Sequence, residues 1–311
     1  MNKEVSKEDV TFDVTRHRAA LVDAYKEYWR HLDQLEGQQH PFPFDITARL
    51  ESAPMRLLDG QLLVSDIREL INNYNAWQDR LYAWHAWNAV SIAASSEQLS
   101  WDIRWKFSEP LAFFCLHMPS AFRDSLMTFC SLAMHLGLLN RDNTHKDELE
   151  QDREVFRRLQ NGSVDAHKYF LPRKKAFEQL RQLSGKWGGT THLIQLLEKI
   201  DSDSYRSSTL DWRNSSSHYI GPRLEYGETR FVKRYVCFGQ EKIDLGDGSF
   251  QFQDNPEKMQ IAYGFGGTPA LPMAEVANCN REQLDLARQA LMETVRVLEE
   301  ICFESEHRKT N

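Results

Sequence analysis

Between Thr209 and Pro222 the chain reads TLDWRNSSSHYIGP, which sets an arginine, an asparagine, three serines and a histidine in consecutive positions from Arg213 to His218. These are the residue types that cleavage of RNA without a metal requires. A base must take the proton of a ribose 2′-hydroxyl, an acid must protonate the leaving 5′-oxygen, and a cation must balance the charge that grows on the phosphate. Imidazole titrates near neutrality, and guanidinium offers a planar fork of donors to phosphate oxygens. Arg213 and His218 are therefore the candidate catalytic pair, and Asn214 can add a neutral hydrogen bond to phosphate or ribose.

Their spacing poses a geometric problem. Residues five apart on a continuous helix point roughly 140° apart. Either the run Ser215, Ser216, Ser217 leaves the helix, as serines do by bonding to nearby backbone, or two copies of the chain assemble the site. The net charge of −7 argues against a surface that binds nucleic acid everywhere. The window around the motif runs the other way: Arg206, Arg213, Arg223, Arg230, Lys233 and Arg234 face only Asp211, Glu225 and Glu228. Arg223 and Lys233 are accordingly the candidate substrate-binding cations.

Other chemistries lack their residues. The chain has no HExxH, GxxxxGK[ST], GxSxG or DxDxDG motif. Its five cysteines have neither zinc spacing nor a CxxC pair, so no metal or cofactor is expected, and a reducing, cytoplasmic setting is the simpler reading. The glycines of GFGG at 264–267 are followed by Thr268, Pro269 and Pro272 and read as a turn. Trp77, Trp84, His85 and Trp87 spread around a helix and read as a buried aromatic stripe. His117 and His135 read as core histidines, and Asp147 to Glu154 as a solvated face. Glu109, beside Pro110, reads as a surface or kink residue. A second Arg-to-His pair, Arg80 and His85, lies within an apolar stretch and is set aside.

The elements that must position the motif are mainly helical. With 41% hydrophobic residues the 311-residue chain can fill a core. Helical periodicity marks residues 13–37, 65–96, 99–117, 120–139, 172–187 and 190–206, with Ser65 as a cap and Pro110 as a kink or stop; the charged stretch 140–165 reads as a solvated helix. After Pro222 the segments TRFVKRYVCFG, EKIDL, SFQFQD and KMQIAYGF alternate as strands, the central pair joined by GDG, and predict a three- or four-stranded antiparallel meander. A last helix begins at an Asn280 cap. The expected fold is mainly α: a helical bundle with a small β-meander inserted before the C-terminal helix. The expected divisions are 1–60 (helix and linker), 61–221 (helical domain), 222–279 (β insertion) and 280–311 (terminal helix). No segment is apolar and long enough to span a membrane.

An arginine, a polar residue, three further residues and a histidine, set late in a helical domain, resemble the signature of the HEPN superfamily. On that resemblance Arg213 is the family arginine, Asn214 the polar residue and His218 the histidine. It implies a HEPN-like bundle, a homodimer in which Arg and His of two copies meet, and metal-independent cleavage of an RNA substrate that leaves a 2′,3′-cyclic phosphate. It also permits a role as a bacterial toxin or antiphage-defence effector. The alternative is a non-catalytic helical interaction or nucleotide-binding module whose RNSSSH segment caps a helix or binds an anion. The residues name no regulatory partner.

Overall fold

The structure, a computed structural model, describes residues 14–37, 40–53, 57–163, 165, 171–218 and 220–303. It is mainly helical, with one antiparallel sheet ahead of the C-terminal helix. The chain divides into two units, Met1–Tyr205 with Ala274–Asn311, and Arg206–Met273.

The first unit is built on α3 (Leu57–Ile92) and α5 (Glu109–Arg141), which pack together. Before them come α1 (Val14–Glu36), which lies on α3, and the short α2 (Asp45–Glu51). Trp77 and Trp84 are fully buried and Trp87 is nearly so, as the aromatic stripe implied. Trp87 sits between Tyr28 and Phe107 in a three-ring stack, at centroid distances of 4.4 and 4.3 Å. Ser65, expected as a cap, lies inside α3, which starts at Leu57 and carries its apolar face through that position.

Two prolines fall in this helical stretch, and the chain accommodates each differently. Between α4 (Glu97–Ile103) and α5 the chain makes one π-helical turn, Arg104–Ser108, in which the Glu109 N–H reaches back to the Arg104 carbonyl. Pro110 follows directly within continuous helix, and the π turn ahead of it accommodates the missing N–H. Pro119 stands inside α5 and deprives the Cys115 carbonyl of its usual donor. That carbonyl instead accepts a hydrogen bond from the Asn280 amide at 2.8 Å. Asn280 is therefore no cap. It is wholly buried within α11 (Met273–Phe303), accepts the Trp77 indole N–H at 2.8 Å and reaches the Tyr205 hydroxyl at 3.0 Å.

The charged stretch condenses to α6 (Glu150–Gln160), which buries no residue. It is followed by α7 (Arg173–Ser184) and α8 (Thr191–Lys199). The helix expected over 190–206 is interrupted after α8 because Asp201 takes a left-handed backbone, φ 51°. Its N–H donates to Gln283 at 2.7 Å, while its carboxylate meets Arg173 at 2.8 Å and Arg123 at 3.4 Å. A buried ionic network thus sets the break. α9 (Asp203–Ser208) resumes the chain and crosses from the first unit into the second.

The second unit continues with α10 (Trp212–Ser217) and one long hairpin, β1 (Glu228–Asp244) and β2 (Phe250–Pro269). The expected three- or four-stranded meander is thus a two-stranded ribbon. Gly239 and the Asn255-Pro256 pair look like strand ends in the sequence. They face each other instead and are absorbed by one register shift at Phe238/Gly239, so pairing continues on either side. GFGG is likewise not a turn: it runs within β2. A side chain at Gly266 would come within 2.7 Å of the Phe231 ring opposite, so the glycine makes room for an aromatic across the strands.

Candidate functional site

α10 is six residues long, too short to hold itself, so its position is imposed from both ends. On the N-terminal side Leu210 and Asp211 are both left-handed, with φ 49° and 47°. This conformation is unusual for two successive non-glycine residues. It is held by Asp211 N–H donating to the Arg206 carbonyl at 2.6 Å and Leu210 N–H to Ser207 at 3.1 Å. The sharp turn ends α9 and starts α10 on a new axis.

The first residue of α10, Trp212, is 5% exposed, and its indole N–H donates to the Pro222 carbonyl at 3.1 Å. After the helix the chain folds back so closely that a side chain at Gly221 would stand 2.9 Å from the Ser216 backbone. Ile220 N–H donates to the Ser215 carbonyl at 3.1 Å. Tryptophan and glycine together clamp the short helix against its own return.

The serines do not leave the helix. Ser216 Oγ donates to the Arg213 carbonyl at 3.0 Å and Ser217 Oγ to the Asn214 carbonyl at 2.7 Å, each bonding one turn back while the backbone stays helical. His218 closes the element, its N–H donating to Ser215 at 3.2 Å. Arg213 and His218 therefore stay roughly 140° apart around one axis and do not share a face. Both are exposed, and among the described residues neither side chain has a hydrogen-bond or ion-pair partner.

Asn214 is held from behind. Its amide donates to Asp211 Oδ2 at 3.1 Å, which leaves the amide oxygen and one N–H for a ligand. Arg223 is exposed in the segment after Gly221, with its Cδ over Gly227, and its carbonyl accepts the Leu271 N–H at 2.8 Å. Lys233 is exposed on β1 opposite Gly264, five residues and so about 17 Å along the ribbon from Glu228. Arg213, Asn214 and His218 thus share one element, Arg223 lies just beyond it, and Lys233 stands out on the ribbon. All five belong to the second unit, whereas Glu109, in the first turn of α5, belongs to the first.

The sequence reading missed Asp211, Trp212 and Gly221, the residues that position the others. Asp211 and Asn214 at i, i+3 and the Gly221-Pro222 pair were the available signals. His135 is 3% exposed and satisfied, with Nε2 at 3.0 Å from Asp147 and Nδ1 at 3.0 Å from His145. His117 is only half-buried and meets the Phe113 carbonyl at 2.8 Å. Arg80 lies over the Phe114 ring at 4.1 Å, a packing role. Among the described residues no three His, Cys, Asp or Glu side chains gather where they could hold a metal ion. No protein-family model, curated protein or solved structure matches the chain.

Proposed function

We propose that the chain is a metal-independent endoribonuclease of HEPN type, acting as a pair of copies. The observation that carries the reading is α10: a clamped helix that presents Arg213, Asn214 and His218 to solvent with the arginine and histidine side chains unengaged. The continuity of that helix favours a site shared between copies, because one chain turns its arginine and histidine to different faces. In such a pair His218 takes the 2′-hydroxyl proton or gives one to the leaving oxygen. The 2′-oxygen attacks phosphorus and the P–O5′ bond breaks, leaving a 2′,3′-cyclic phosphate and a 5′-hydroxyl. Arg213 balances the added charge on the phosphorane, and Asn214, fixed by Asp211, meets phosphate or ribose. Arg223 and Lys233 bind RNA flanking the scissile bond. A toxin or antiphage-defence role is compatible with this chemistry.

The test incubates the full chain and its Arg213→Ala and His218→Ala variants with total RNA in EDTA and maps the fragment ends. Cyclic-phosphate ends from the wild type, reduced about 10²- to 10⁴-fold in both folded variants, are the expected result. Cleavage surviving in both variants overturns the site. A second reading, a non-catalytic interaction module, is favoured by the apolar exposure of the ribbon; absence of cleavage would support it.

A further inference from the structure

Two of the GFGG glycines clear one face of the ribbon. Residues paired across β1 and β2 share a face, and on this face the inner part of β1 sets Thr229, Phe231, Lys233 and Tyr235. Their partners on β2 are Thr268, Gly266, Gly264 and Ala262. Glycine inside a strand weakens it and marks a place where something approaches the backbone closely. Here each glycine lies under a ring. A side chain at Gly266 would come within 2.7 Å of the Phe231 ring, and one at Gly264 within 3.4 Å of the Tyr235 ring. Both rings therefore reach across the ribbon, and beside them β2 raises nothing larger than the Ala262 methyl.

Charge and position select the ligand of this face. Inside the register shift it carries Lys233 and no acidic residue, and Lys233 stands between the two rings, about 7 Å from each along β1. Lys233 and Tyr235 are exposed and Phe231 is half-buried. Glu228 lies on the opposite face, while Glu241, Asp244, Asp247, Asp254 and Glu257 all lie beyond the shift at Phe238/Gly239. At the foot of the same face the Thr229 hydroxyl donates to the Gly221 carbonyl at 2.7 Å, and Gly221 is the residue packed on the α10 backbone. The face thus continues from the return of α10. We infer that it is a platform for unpaired RNA leading to α10, with bases stacked on Phe231 and Tyr235 and the intervening phosphate on Lys233. A duplex does not fit, because its bases are already stacked on one another. The opposite face, with Val232, Val236, Phe238, Met259 and Ile261, is largely aliphatic and offers bases little to stack on.

The platform rests on the nuclease reading for the kind of strand and narrows its substrate to unpaired RNA, yet it is measured without cleavage. Fluorescence anisotropy of a labelled 2′-O-methyl oligouridine, which has no free 2′-hydroxyl to attack phosphorus, reports binding to the full chain. The wild type is expected to bind. Phe231→Leu/Tyr235→Leu keeps an apolar side chain over each glycine and should bind about tenfold more weakly or worse, with unchanged far-UV circular dichroism. Lys233→Gln should lower the slope of log affinity against log salt by about 0.7. Tyr263→Leu/Phe265→Leu, on the opposite face, should bind as the wild type does. The inference is overturned by a wild type that binds no strand, by binding that survives Phe231→Leu/Tyr235→Leu, or by an equal loss in the opposite-face variant. Undiminished affinity after the complementary oligoadenosine is annealed also overturns it. A wild type that binds no strand but self-associates, where Phe231→Leu/Tyr235→Leu does not, gives the face to a second copy instead. Cleavage of ordinary RNA is scored separately on the same samples: binding without cleavage leaves the platform standing and removes the nuclease reading.

Discussion

At the scale of single residues, the motif depends on neighbours that carry no chemistry. Gly221 is required because a Cβ there would meet the Ser216 N and Cα, both at 2.9 Å. Gly221→Ala must push the return segment off α10, at a cost of about 1–3 kcal/mol. Hydrogen exchange over residues 212–218 should accelerate in that variant, and unchanged protection would mean that the helix is held by Trp212 alone. A second residue-scale effect concerns pH. His85 is held down to a pKa of about 4, first by burial and then by the Arg281 charge, against a weaker opposing hydrogen bond with the Ala277 backbone. The native state keeps it neutral while the unfolded chain protonates it near 6.5, so its stabilisation is complete above pH 6.5 and is lost as pH falls toward 4. The full effect is about 3 kcal/mol. Urea midpoints of wild type and His85→Gln should converge between about pH 7 and 4.5. His145, also lowered by burial and by His135, has the same sign and leaves a residual slope in both proteins.

At the scale of elements, what the sequence told and what it hid divide along one physical line. Periodic apolar faces marked α1, most of α3 and most of α11, because burial against a core is written into local spacing. The errors came where a distant residue overrides a local rule. Separate helices were expected over 99–117 and 120–139, yet α5 runs through the gap and Pro119 because Asn280, from another helix, supplies the missing donor to Cys115. Asn280 itself reads as a cap because asparagine favours helix starts, whereas its buried partners make it a bridge. Asp201 breaks a periodic helix through charges on α5 and α7. The candidate site followed the same pattern, since Arg213, Asn214 and His218 were legible by type while their clamp was not. Asn280→Ala removes three buried hydrogen bonds and should cost about 3 kcal/mol or more. Pro119→Ala restores an N–H to the Cys115 carbonyl, so the double variant should be less destabilised than the sum of the two by about 1 kcal/mol. Additive losses in chemical denaturation would separate Asn280 from the proline.

At the scale of the whole molecule, the two units carry different kinds of stability. The first buries large aromatic and aliphatic side chains on many helices, and no helix among its described residues is long and apolar enough to cross a membrane. The second holds α10 and a ribbon whose residues are mostly exposed, so the ribbon contributes pairing and surface but little burial. Its removal is therefore expected to spare the fold. Arg230 and Gly267 lie directly opposite one another, about 5 Å apart, and an Asn-Gly turn can join them in place of residues 231–266. The shortened chain should keep its helical circular dichroism and melt within about 5 °C of the full chain at concentrations where both are monomers. A loss well beyond that would mean the ribbon supports the helices directly. An unchanged melt would mean that the helices hold without it.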